Sequence, residues 1–214
     1  MNPQELIQDC RQMLAETLKK SVWSTIGQSN DKTTPEGRRK LIGGYTAAVA
    51  AEFQAWLGAT YAFARHETAQ YALKDNIRCE IGNDHIGMLY DFAEQANSLP
   101  TKNDYEWVKD CMGDMRRLFE DTERLGLIGV TVLAVLESTS TLFIPVLAKA
   151  GKVNGVKDFT YTNAHGEADI AHSDAFIKAM EAEMSEGYRN PEELMSKAAN
   201  MTMNLVLRIF ANAA

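Results

Sequence analysis

The feature that most constrains the fold is a long apolar stretch from Leu125 to Leu147. It carries one acidic residue, Glu137, near its middle and Pro145 near its end. A membrane-spanning helix would place the Glu137 carboxylate deep in lipid at a cost of about 2–3 kcal/mol or more. We therefore interpret this stretch as a buried helix of a soluble protein, in which a carboxylate is retained for a reason.

Apolar residues recur at three- to four-residue spacing almost throughout the chain, which predicts an all-α protein. Thr34-Pro35-Glu36 and Asn190-Pro191-Glu192 have the N-cap, proline and first-turn acid that begin helices. No internal repeat or strand-like alternation is present. The prediction is one bundle-like domain over residues 1–214 with seven helices. They cover residues 3–20, 35–66, 69–96, 105–122, 125–150, 164–186 and a last segment from 191.

Composition excludes some classes of partner. The net charge of −7 argues against nucleic acids and anionic membranes as main partners. Cys10, Cys79 and Cys111 are odd in number and widely separated, which argues against a disulfide framework or a thiolate zinc site. The N-terminus lacks a basic start followed by an apolar run, so we expect no signal peptide and a cytoplasmic location.

Three ligand-type residues share one predicted helix face. His165, Asp169 and His172 have offsets of four and seven, so Asp169 and His172 lie within about 40° of His165. Imidazole nitrogen and carboxylate oxygen suit Fe and Mn, and also Zn. The alternative is a solvent-exposed polar face, which is how we interpret the neighbouring Glu167 and Asp174.

Glu137 is the first candidate to face this set. An ionised carboxylate in such apolar surroundings costs several kcal/mol unless it is paired or bound to a metal. The alternatives are a hydrogen bond from a buried arginine or tyrosine, or a protonated carboxyl group.

Glu80 and His85 form the second candidate. Their offset of five separates them by about 140° on an ideal helix, so an unwound or bulged turn at Gly82 is needed to bring them together. Asp75 and Asp84 are alternative ligands from the same segment.

The number of candidates favours two metal ions. A single zinc site needs only three or four protein ligands, and six are available. Three neutral histidines and three carboxylates with two divalent ions would leave a charge of about +1, which favours an anionic partner.

These residues resemble the haem-oxygenase-like di-iron oxidases. The resemblance rests on Asn76-x-x-x-Glu80-x-Gly82 followed by His85, on the central Glu137, and on Tyr161-x-x-x-His165-x-x-x-Asp169-x-x-His172. It implies a seven-helix haem-oxygenase-like fold without haem. It also implies two iron ions, with Glu80, His85, Glu137, His165, Asp169 and His172 as ligands, and all of these except His85 as catalytic residues.

The same resemblance implies O2 activation through a peroxo-di-iron(III) species. Members of the family decarboxylate fatty acids, N-oxygenate amines, fragment or desaturate amino acids, or form 4-aminobenzoate, and fold alone does not choose among these. We therefore expect an oxidase or oxygenase acting on a small carboxylate or amine. It would need an electron donor, with Mn or Zn as alternative metals and a homodimer as the default assembly.

Three alternatives remain open at this point. The chain could be a cofactor-free enzyme, similar to the thiaminase-type or quinone-synthase relatives of the same fold. It could instead be a non-catalytic dimetal-binding protein. The third alternative is a mononuclear Zn or Fe hydrolase that uses only the His165 motif and Glu137.

Other side chains suggest less about the site. An aromatic stripe at helical spacing is more often core than pocket; it comprises Tyr45, Trp56, Tyr61 and Phe63. We expect His66 at the surface or behind the ligands. For Arg78 and Lys149, ordinary ion pairs are favoured over contact with a substrate carboxylate.

Overall fold

The computed structural model describes residues 2–214, except for the side chain of Glu167. The predicted exposure of Glu167 therefore lies outside the described residues. In this part of the chain there are nine α-helices and no strand. The helices are α1 (Pro3–Lys20), α2 (Pro35–Ala48), α3 (Gln54–Phe63), α4 (Glu67–Gly82), α5 (His85–Gln95), α6 (Lys102–Phe119), α7 (Leu125–Val153), α8 (Thr160–Met184) and α9 (Pro191–Asn212).

The all-α prediction is confirmed, but the described chain has nine helices where seven were predicted. A π-helical segment, Val49–Phe53, divides the predicted second helix into α2 and α3. The predicted third helix is divided at Asn83 and Asp84, because Asp84 has left-handed backbone angles of φ 52 and ψ 48 and caps α5. The π-helical segment is not predicted because the apolar period continues across it, whereas the second division lies next to Gly82, where the sequence predicts an unwound or bulged turn.

Helix α7 lies at the centre of the bundle, as the apolar stretch predicted. Of its 29 residues, 20 are buried, and it packs most extensively against α8 and then against α9, α3 and α1. The helix is long and apolar enough to cross a membrane. However, 83% of the 18-residue apolar stretch that would do so is buried inside the fold. The prediction of a buried helix is therefore confirmed.

Side-chain caps explain where the outer helices begin. Helix α6 starts three residues earlier than predicted, because Thr101 and Asp104 form a reciprocal capping box. Asn2 and Glu5 form another box at the start of α1. Each such cap stabilises its helix by about 1 kcal/mol.

The buried carboxylate of Glu183 connects the end of α8 to the start of α4 through hydrogen bonds. It accepts hydrogen bonds from the backbone N–H groups of Arg65 and His66, both at 2.7 Å, and from the Tyr188 hydroxyl at 2.6 Å. His66 is the N-cap of α4, where its Nδ1 accepts from Thr68 N at 3.1 Å. His66 is half-buried, and its imidazole serves as a helix cap.

Candidate metal centre

Four helices bring the six predicted ligands together inside the bundle. Glu80 lies near the end of α4, His85 is the first residue of α5, and Glu137 lies midway along α7. The other three are on α8, on the single face that their spacing predicted. All six residues are buried; they are Glu80, His85, Glu137, His165, Asp169 and His172.

The six side chains form two groups of three, which we call the first and second triads. The first triad is Glu80, His85 and His165, and the second triad is Glu137, Asp169 and His172. In each triad, one ligand atom from every member lies within 4.8 Å of the others. This separation is compatible with one metal ion in each triad.

In the first triad, the turn between α4 and α5 compensates for the unfavourable five-residue offset. Nδ1 of His85 lies 3.0 Å from Oε1 of Glu80, and the His85 and His165 ring centroids are 4.8 Å apart. The reversal occurs at Asn83 and Asp84, whereas Gly82 is still within α4. The prediction that Gly82 supplies the distortion is therefore wrong, although the two side chains do meet.

The alternative acidic ligands of this segment lie outside the centre. Asp75 is exposed on α4. Asp84 is also exposed, and its carboxylate accepts from Gly87 N at 3.2 Å as the N-cap of α5. On α8, Asp174 is exposed as predicted.

In the second triad, α7 faces α8. Nδ1 of His172 lies 3.7 Å from Oε2 of Glu137. Asp169 also contacts the first triad, because its Oδ1 lies 3.1 Å from Nδ1 of His165. Asp169 is thus shared between the triads, and one helix face supplies residues to both.

Asn76 is a site residue to which sequence reasoning assigned no role. Its side chain is fully buried on α4, and its amide nitrogen donates to Oε1 of Glu137 at 2.7 Å. The same nitrogen is 3.0 Å from Nδ1 of His172. The signal was the four-residue spacing from Asn76 to Glu80, which puts both on one face of α4.

Unsatisfied polar atoms are concentrated at this centre. In the described residues, the buried side-chain N and O atoms without a hydrogen-bond partner are Asn76 Oδ1, His165 Nε2 and Asp169 Oδ2. A buried polar group without a partner costs about 1–3 kcal/mol. The centre therefore holds electron-pair donors that the protein itself leaves free.

The electrostatics of the centre depend on histidines. Burial raises the pKa of Glu137, and the nearby His172 imidazole opposes this rise only in part. Burial alone would lower the pKa of His165 and of His172. Their contacts with Asp169 and Glu137, respectively, and the field of the other carboxylates raise both values overall.

Metal ions fit this set of residues. In the described part of the chain, the ion-pair partners of Glu80, Glu137 and Asp169 are histidines, with no lysine or arginine among them. Three carboxylates are thus buried together without a permanent cation. Nitrogen and oxygen donors with free lone pairs are the ligands that Fe, Mn and Zn take.

An apolar cavity of about 70 Å³ opens onto the centre. Glu80, Glu137, His165 and Asp169 form one part of its lining. The remainder is mostly apolar and comes from α2, the π-helical segment, α3, α6, α7, α8 and α9; it includes Val49, Phe53, Trp56, Leu136, Phe143 and Phe210. The centre therefore faces a hydrophobic space.

The aromatic stripe divides between cavity and surface. Tyr45 and Trp56 line the cavity, whereas Tyr61 and Phe63 are each 42% exposed. The prediction that the stripe is core rather than pocket is wrong for the two exposed side chains, whereas Tyr45 packs against the core and also lines the cavity. Trp56 is both core and cavity wall.

A tyrosine pair lies between the cavity and the first triad. The hydroxyls of Tyr45 and Tyr161 are 2.8 Å apart, and the Tyr161 ring centroid is 4.5 Å from that of His165. Burial raises the pKa of both phenols, so both are protonated at neutral pH. Arg78 and Lys149 are exposed and do not line the cavity.

No protein-family model matches this chain, and no curated protein is significantly similar to it in sequence.

Proposed function

We propose that this chain is a dimetal oxidase or oxygenase that activates O2, with a haem-oxygenase-like arrangement of helices and iron as its metal. One observation carries the proposal. Six nitrogen and oxygen ligands are buried in two adjacent triads beside an apolar cavity, and two of their atoms have no partner. The two atoms are His165 Nε2 and Asp169 Oδ2.

The donor set supports iron over a thiolate-binding metal. The triads contain carboxylates and imidazoles and no cysteine, which suits iron and manganese and also permits zinc. When bound, iron would supply the binding and reduction of O2. Glu80, His85 and His165 would hold one ion, and Glu137, Asp169 and His172 the other.

The chain's own residues would orient the ligands and exclude water. Asn76 holds the Glu137 carboxylate by an amide hydrogen bond, and Asp169 fixes the ring of His165 through Nδ1. This contact leaves Nε2 of His165 free to bind. The apolar wall keeps bulk water from the reacting atoms, which protects reactive species from side reactions.

The test is O2 uptake by protein loaded anaerobically with Fe(II), measured with an oxygen electrode and compared with Fe(II) in buffer. We expect uptake at least tenfold faster with the protein. Glu137→Gln should abolish this excess, and Asp174→Asn, an exposed change on α8, should preserve it. Uptake of less than one metal ion per chain would contradict the proposal. Substrate turnover by the metal-free chain would favour the cofactor-free alternative.

A further inference from the structure

The charged and imidazole side chains that line the cavity all belong to the triads. Among the described residues that line it there is no lysine or arginine. The hydroxyls of Tyr45 and Tyr161 are paired with each other at 2.8 Å. The Ser140 hydroxyl donates to the backbone carbonyl of Glu137 at 2.6 Å. Apart from the triads, the lining therefore offers little to a second polar group of a bound molecule.

We propose that the substrate of this site carries one polar end group, held at the triads, and an apolar body that fills the cavity. The placement of the polar end at a metal centre rests on the proposed function. The exclusion of a second charged group rests on the wall alone. The inference narrows the substrate class to single-ended amphiphiles, such as alkyl monocarboxylates, and excludes molecules whose second charge would be buried against the apolar wall.

The size of the cavity limits the part of the molecule that is enclosed. Its volume of about 70 Å³ is roughly half that of a 150 Å³ apolar cavity that binds the six carbons of benzene. About three or four carbons therefore fit without movement of the wall. A longer chain would have to extend beyond the enclosed space, whose half-buried lining residues include Val49, Phe53 and Leu136.

The apolar wall penalises a second charge strongly. An unpaired ammonium or carboxylate moved from water into apolar surroundings costs several kcal/mol even after the site relaxes. Each methylene buried against the same wall contributes favourably, by about fourfold in affinity. Selectivity should therefore depend on the far end of the ligand more than on its length.

The state of the triads determines which polar end group is preferred. Two divalent ions with three carboxylates leave a positive centre, which favours a carboxylate end group. Without metal, the positive charge of the two ions is absent, so the preference shifts from a carboxylate towards an ammonium end group. The preference for a ligand with a single charged end should hold in both the metal-loaded and the metal-free protein, because the apolar wall is the same in both.

The experiment uses pairs of probes that differ only in a terminal methyl or ammonium group. For Fe(II)-loaded protein under anaerobic conditions the probes are pentanoate and 4-aminobutyrate. For metal-free protein they are pentylamine and 1,4-diaminobutane. Isothermal titration calorimetry at pH 7 should show at least tenfold tighter binding of the methyl-ended probe in each pair. From propionate to pentanoate, affinity should rise about fourfold per methylene.

A matched pair of variants locates the effect in the wall. Val49→Asp should lower the ratio of methyl-ended to ammonium-ended probe affinity at least tenfold, because the new carboxylate can pair with the ammonium group at the far end of the probe. Val49→Asn has the same size without the charge and should leave most of the preference in place. In the chain with Val49 unchanged, a probe that binds in the cavity should quench the fluorescence of Trp56, which lines it. The quenching should be absent in Trp56→Phe.

The outcomes separate this inference from the proposed function. Equal or tighter binding of the double-ended probes in both states would overturn the inference. A methyl-ended preference in the metal-free chain, together with failure to take up metal, would support the inference and contradict the proposed function.

Discussion

Two buried carboxylates on neighbouring parts of the bundle have opposite surroundings. Glu183 is fully buried and accepts three hydrogen bonds, from two backbone N–H groups and from the Tyr188 hydroxyl. Glu137 is 4% exposed and receives one amide hydrogen bond from Asn76. Its other close neighbours are His172 and the carboxylates of Asp169 and Glu80.

The difference shows that burial alone does not identify a functional carboxylate. Glu183 is surrounded by donors that cannot ionise near neutral pH, and its role is to hold α4 against α8. Around Glu137 there are further acceptors, and nearby atoms lack any partner. A carboxylate among acceptors requires a cation, and in the described part of the chain its ion-pair partner is a histidine rather than a lysine or arginine. The chemistry of the partners, more than the depth of burial, separates the proposed metal ligand Glu137 from the structural anchor Glu183.

The largest expected effect is on stability, at the structural carboxylate. Glu183→Ala leaves two backbone donors and the Tyr188 hydroxyl without their acceptor, so the free energy of unfolding should fall by about 3–4 kcal/mol. Metal uptake per folded chain should not change. Chemical denaturation and metal analysis check both expectations. Glu181→Ala, an exposed change on the same helix, should alter stability by less than about 0.5 kcal/mol.

The second effect is on metal affinity, at the functional carboxylate. Glu137→Gln keeps the shape of the side chain and removes its charge, so metal affinity should fall at least about a hundredfold. The metal-free chain should become more stable by about 1 kcal/mol, because a buried charge beside two carboxylates is removed. Competition with a fluorescent chelator measures the first change. A marked loss of metal-free stability would mean that Glu137 is an anchor like Glu183.

A smaller effect is expected at Asn76, which supports the ligands from behind. Asn76→Leu removes the hydrogen bond to Glu137 and the contact with His172, and metal affinity should fall about tenfold to a hundredfold. Stability without metal should change by no more than about 1 kcal/mol, since the variant also removes the unpartnered Asn76 Oδ1. The same chelator competition measures this change. Unaltered affinity would exclude a positioning role for Asn76.

The smallest effect concerns Asp104, a buried carboxylate outside the candidate metal centre that forms an ion pair with Arg39. Burial would raise the pKa of Asp104, but hydrogen bonds from Arg39 and Thr101 lower it overall. Because its pKa is lower in the folded chain, the stabilisation is complete above the unfolded value of about 3.9. It disappears as the pH falls through the folded value.

Asp104→Asn should therefore lower the free energy of unfolding by about 1 kcal/mol at pH 7. The difference between the variant and the unaltered chain should shrink below about pH 4. Denaturation curves at several pH values measure it. A difference independent of pH would mean that the lost contacts are steric, and the comparison among the three carboxylates would then rest on Glu183 and Glu137 alone.

Much of the fold could be predicted because helical period and caps are local signals. The buried α7 and the proline starts of α2 and α9 follow from short stretches of sequence. The π-helical segment does not follow, because the apolar pattern continues through it. Near Asp84 the sequence predicts a distortion at Gly82, but not the left-handed residue that separates α4 from α5. Helix α6 was placed three residues late because the Thr101 cap was overlooked.

The candidate site could be predicted as a set of residues but not as two triads. One helix face grouped His165, Asp169 and His172, since their spacing is local. The convergence of Glu80 with His85 depends on a tertiary turn that spacing alone argues against. The Glu183 anchor was missed because two of its partners are backbone N–H groups, which have no sequence signature.

The most direct test of the dimetal centre is anomalous diffraction at the iron edge, on crystals of the chain reconstituted anaerobically with Fe(II). We predict two anomalous peaks inside the bundle. One should lie among Glu80, His85 and His165, and the other among Glu137, Asp169 and His172. A single peak, or none within reach of these six side chains, would contradict the central claim.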